Sequence, residues 1–133
     1  MLFRSFSEGL TLWGEGERER ALDLFYRAME ADSTYIEAIL MASTTEWNIN
    51  TIARGDTVIR LAERYLDDMS PWDRAQYDWL KAWYDGDREA AFEAGLRQSE
   101  LYPGAATNCR SARMANRPAL AVETCMQIGR AHV

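Results

Sequence analysis

The stretch Gly16-Glu-Arg-Glu-Arg-Ala-Leu-Asp-Leu-Phe-Tyr-Arg-Ala-Met-Glu-Ala-Asp32 decides the fold. Ala21, Phe25 and Ala28 are spaced so that they share one face of an α-helix. Glu15, Glu17 and Glu19 crowd the start of that helix, where carboxylates complement its dipole, and Gly16 supplies the turn before it. The surrounding composition agrees with a helical chain. Ala, Leu, Arg and Glu dominate, with only three prolines and eight glycines in 133 residues. A 47% hydrophobic content is enough for one domain to bury a real core. No segment reads as an alternating strand, and no uncharged stretch approaches the roughly 20 apolar residues that cross a bilayer.

The stretch strongly resembles the second helix of a tetratricopeptide repeat. In that family a glycine turns between helices A and B, and helix B then carries a small, an aromatic and a second small residue. Those roles fall on Gly16, Ala21, Phe25 and Ala28. The pattern returns with Gly86 as turn, Ala91 as small residue and Pro103 as stop, although Gly95 stands where the aromatic belongs. Between them Asn50 takes the turn, since asparagine tolerates left-handed backbone, and Gly55, Ile59 and Ala62 follow. Its helix B is expected over about residues 51–68, ended by Ser70-Pro71. A fourth unit has Asn116 as turn, then Pro118, Ala121 and Cys125. The turns are 34, 36 and 30 residues apart, close to the family period. Helix A of each unit is expected at about residues 2–13, 35–47, 71–84 and 105–115. The resemblance therefore implies an all-α fold, a right-handed superhelix of antiparallel helix pairs with about four hairpins, the last truncated.

Ser70-Pro-Trp-Asp-Arg-Ala-Gln-Tyr-Asp-Trp-Leu80, Gly86-Asp-Arg-Glu-Ala-Ala91, Pro103-Gly104 and Asn116-Arg-Pro118 resemble the repeat regions of bacterial serine/threonine protein kinases and winged-helix transcriptional regulators. That resemblance implies a sensing or scaffolding part of a larger signalling protein, in the cytoplasm, or in the periplasm if the parent carries an upstream transmembrane helix. No kinase signature occurs in the chain. The expected domain is 1–127, a fragment. Ile128-Gly-Arg-Ala-His-Val133 reads as what a sequencing-library adapter encodes, which would leave His132, the only histidine, without a biological role.

Catalysis is not expected. Without a native histidine, Ser-His and Cys-His pairs have no base and histidine metal sites cannot be built. Gly14-Glu-Gly16 lacks the further glycine and preceding strand of a dinucleotide fingerprint, and neither cofactor nor metal is expected. Arg54-Gly55-Asp56 is an adhesion motif elsewhere, but here it falls on a helix face. Residues 1–103 carry 20 acidic and 11 basic groups, which disfavours nucleic acid. The remainder has one acid and four arginines (Arg110, Arg113, Arg117, Arg130), read as a solvated face. Cys109 and Cys125, at facing repeat positions, are either small apolar core residues or a disulfide of an oxidising compartment.

The strongest functional signal is aromatic. Trp13, Trp47 and Trp83 each lie three residues before a turn, near the end of helix A. Helix A lines the concave groove in this family, so the resemblance implies a trough for a protein or peptide partner, with Phe6, Leu10, Leu40 and Leu80 at other groove positions. Alternatively the tryptophans pack between repeats, and the chain is a spacer that docks missing domains of its parent. The lysine and asparagine set of chaperone-binding relatives is absent: Phe6, Leu10, Thr44 and Gln76 stand there. Trp79, at a position where a small residue is usual, signals a possible one-residue slip in the third repeat.

Overall fold

A computed structural model describes residues 2–101. The fourth unit with Cys109 and Cys125, the four terminal arginines and the 128–133 tail lie outside the described residues. Within them the chain is all-helical, without a strand: α1 (Leu2–Gly14), α2 (Arg18–Ala31), α3 (Ile36–Asn48), α4 (Ile52–Leu61) continued by a 3₁₀ segment (Ala62–Asp68), α5 (Pro71–Asp85) and α6 (Arg88–Leu101). Two compact units result, Met1–Met69 and Ser70–Val133. In the first, α1 packs on α2, α2 on α3 and α3 on α4; in the second, α5 packs on α6.

The helices break where the turn residues were expected. Among the described residues, Gly16, Asn50 and Gly86 alone have positive φ, at 87°, 66° and 75°. Each closes its helix with the same pair of backbone bonds. The N–H of the left-handed residue donates to the tryptophan carbonyl three back: Gly16 to Trp13, Asn50 to Trp47 and Gly86 to Trp83, all at 3.1 Å. The next N–H donates five back: Glu17 to Leu12 at 2.9 Å, Thr51 to Glu46 at 2.9 Å and Asp87 to Ala82 at 2.8 Å. This double bond is the Schellman closure, which satisfies carbonyls that a helix end leaves without partners. The residue after the turn then opens the next helix, its carbonyl accepting from Ala21, Gly55 or Ala91. The turn at Gly86 keeps this pattern, with Trp79 seven residues before it.

Other boundaries have equally local causes. Ser70, in extended backbone, accepts the Asp73 N–H at 3.1 Å, and Pro71 follows at the first helical position, where a missing N–H costs nothing. Asp32 closes the loop between α2 and α3 by accepting from the Thr34 hydroxyl and N–H through one oxygen, at 2.6 and 2.9 Å. The Thr34 hydroxyl, then its N–H, hold the Asp32 carboxyl below its ordinary 3.8. The second helix B, expected as one helix over 51–68, instead tightens after Leu61 into 3₁₀ turns. These contain a non-helical Tyr65 (φ -120°, ψ 17°) and lead into the extended Met69 before the proline.

The helix B pattern is the core. Ala21, Phe25 and Ala28, then Gly55, Ile59 and Ala62, then Ala91, Gly95 and Gln98 are buried at matching positions. In the first pair, Gly9 of α1 meets Phe25 so closely that a Cβ there would lie 2.7 Å from the ring. Phe6 also packs on Phe25, and on Tyr35 at the start of α3, with ring centroids 5.7 and 5.0 Å apart. Burial, then the Glu37 carboxylate, push the Tyr35 hydroxyl above its ordinary value.

Candidate functional site

The turn geometry fixes the three tryptophan backbones alike, yet their side chains meet different surroundings. Trp13 is half-buried, with the Arg18 guanidinium stacked 4.4 Å from its ring centroid. That stack draws a cation onto the electron-rich indole face. The Trp13 indole N–H and the Arg18 Nε have no hydrogen-bond partner among the described residues. Trp47 is half-buried. Trp83 is buried, with Trp79 edge-on to it at 6.1 Å.

The remaining groove candidates divide in the same way. Leu10 is 42% exposed, one turn before Trp13 on α1. Thr44 and Trp47 hold the equivalent places on α3, both half-buried. Phe6 belongs to the aromatic core just described. Leu40 and Leu80 are buried completely between helices, so neither has surface to offer a partner. Their large apolar side chains gain more from burial than a groove position would give them. Leu10, Trp13, Thr44 and Trp47, on α1 and α3 of the first unit, thus keep accessible surface, while Phe6, Leu40, Leu80 and Trp83 support the interior.

Sequence reasoning missed a polar centre in that same unit. Glu46 of α3 is 0% exposed. Its Oε1 accepts the Tyr26 hydroxyl of α2 at 2.7 Å and lies 3.4 Å from Arg54 Nη2 of α4. The Thr51 hydroxyl, at the start of α4, reaches both its Oε2 and, at 3.0 Å, its carbonyl. One carboxylate thus ties three helices together. A buried charge is tolerated only when paired and hydrogen-bonded in this way. A further polar tie joins α3 to α4, where the buried Ser43 hydroxyl donates to the Gly55 carbonyl at 3.1 Å. The signal in the sequence was faint, a lone Glu between Thr45 and Trp47, because its partners lie 20 residues before it and five and eight after it.

Beside this centre is a cleft of about 310 Å³ between α2 and the 3₁₀ segment, walled by Tyr26, Met29, Leu61 and Tyr65 with Ile39 beneath. The surface charges elsewhere form ordinary exposed pairs. Arg4–Glu8 and Lys81–Asp85 are spaced one helical turn apart, and Arg74 and Arg97 share Asp78. Such pairs are worth little individually. Among the described residues no three His, Cys, Asp or Glu side chains are grouped to hold a metal, and no helix is long and apolar enough to cross a membrane. No family model matches the chain, and neither a curated protein nor a solved structure is significantly similar to it.

Proposed function

We propose that the chain is a protein- or peptide-binding module of the tetratricopeptide kind, in which antiparallel hairpins stack into a right-handed superhelix. The observation that carries this reading is the threefold turn: tryptophan, left-handed residue and helix start recur with the same two backbone bonds. The partner-binding face is that of α1 and α3, with Leu10 and Trp13 as apolar anchors beside Thr44 and Trp47. Aromatic anchors offer large contact area at low entropic cost. The module serves as the sensing or scaffolding part of a bacterial signalling or transcriptional regulator in the cytoplasm, without catalysis or cofactor of its own.

A second reading, a spacer docking other domains of its parent, is favoured by the burial of Phe6, Leu40, Leu80 and Trp83, which leaves two of the three tryptophans partly accessible. Partner capture from the source cell with the wild type, Leu10→Glu and a Trp13→Ala/Trp47→Ala double variant separates the two. Loss of the captured partner by variants with wild-type circular dichroism supports the binding module. Equal recovery by all three proteins leaves the spacer.

A further inference from the structure

The cleft between α2 and the 3₁₀ segment has properties that neither the core nor the proposed α1 and α3 anchors use. Its volume, about 310 Å³, is at the lower end of ligand pockets, which run to about 300–1,000 Å³. It suits one or two apolar side chains better than a large cofactor. Its walls are aromatic and aliphatic, and Leu61 at the rim is 40% exposed. One of those walls is held in place before anything binds. Tyr26 is fixed through its hydroxyl, which donates to the buried Glu46 carboxylate at 2.7 Å. Tyr65 stands where the backbone of the 3₁₀ segment departs from helical geometry. Walls already ordered lose little entropy when a ligand arrives.

The charges name the occupant. Glu30 lines the α2 wall and Arg64 the opposite wall. Both are exposed, and neither takes part in an ion pair or side-chain hydrogen bond among the described residues. Arg60, one turn before Arg64, is by contrast satisfied by Asp56 at 3.4 Å and Glu63 at 3.7 Å. An apolar cleft flanked by one unpaired carboxylate and one unpaired guanidinium complements an apolar residue with a basic neighbour on one side and an acidic neighbour on the other.

We propose that the cleft between α2 and the 3₁₀ segment is a second peptide site, which seats one leucine-sized side chain of a partner between a basic residue facing Glu30 and an acidic residue facing Arg64. The site is separate from the α1/α3 face and does not depend on it.

The test titrates the isotopically labelled full chain with a blocked pentapeptide, Gly-Lys-Leu-Glu-Gly, and follows backbone amide shifts by NMR. Saturable shifts are expected at Tyr26, Met29, Leu61 and Tyr65, and they disappear when asparagine replaces the leucine of the peptide. Arg64→Glu, an exposed change that leaves the fold intact, weakens this peptide about three- to fivefold, the range of an exposed ion pair. The same variant then prefers Gly-Lys-Leu-Lys-Gly, reversing the wild-type order. Shifts confined to Leu10, Trp13 and Trp47 would overturn this site while supporting the α1/α3 face. No shifts, shifts indifferent to the leucine, or an unchanged peptide order in Arg64→Glu would each overturn it as well.

Discussion

The first helical pair, α1 with α2, and the last described pair, α5 with α6, are closed by the same backbone turn but place their bulk on opposite helices. Seven residues before the turn the first pair has Gly9 and the last has Trp79; nine residues after it the first has Phe25 and the last has Gly95. In the first pair these two positions touch, glycine against ring. The middle pair, with Ser43 and Ile59, is intermediate. The corresponding positions of the last pair, Trp79 and Gly95, are expected to share one volume in the same way, so that what a helical pair must keep is the sum. The turn, by contrast, depends on backbone bonds and one left-handed residue, so it admits little variation.

The comparison is broken or sharpened most directly at Phe25. Phe25→Ala removes a fully buried ring that packs against Gly9 and Phe6, and a loss of about 3–5 kcal/mol in chemical denaturation is expected. A loss near 1 kcal/mol would mean that the two positions do not share one volume. Next in size is the exchange in the last pair. Gly95→Phe alone is expected to cost about 1–3 kcal/mol by overpacking, and Trp79→Ala in the same chain to recover at least about 1 kcal/mol of it. Strict additivity of the two changes would break the comparison.

At the turns the expected effects are smaller. A Cβ at Gly16 or Gly86 meets no atom within 4 Å, so alanine there is strained only by its positive φ, at about 1–2 kcal/mol. Asn50→Gly should stay within about 0.5 kcal/mol, because asparagine already tolerates that conformation. Thermal unfolding of the three variants ranks them.

The smallest effect lies in the loop that follows the first pair. Asp32 is held below its ordinary 3.8 by Thr34. A lowered folded value means that its contribution to stability is complete above that pH and lost as the pH falls through the lowered value. Carboxyl NMR titration should show Thr34→Ala returning Asp32 toward 3.8, and the small stability that the lowered value contributes is lost at neutral pH and absent already at low pH.

What was legible in the sequence was local. Gly16, Asn50 and Gly86 could be picked out because left-handed backbone selects residue types directly, and Ser70-Pro71 marked a helix start by the same logic. The anomalies Gly95 and Trp79 were visible singly. Their complementarity was not, because it requires knowing which residues face each other across a turn. Glu46 and the cleft beside it were harder still. A carboxylate reads as solvent-facing until Tyr26, Thr51 and Arg54 are brought to it from two other helices, and the 3₁₀ kink at Tyr65 has neither glycine nor proline beside it. For the proposed binding face, spacing singled out three tryptophans as equals, whereas neighbouring helices decide how much of each remains accessible.

The Schellman closures have an evolutionary corollary. Each is written in main-chain atoms plus a single permissive residue, so a duplicated segment carries its own punctuation with it. Side chains around the turn can then vary, with Gly9 and Phe25 at one pair and Trp79 and Gly95 at another, while the cadence of the chain survives.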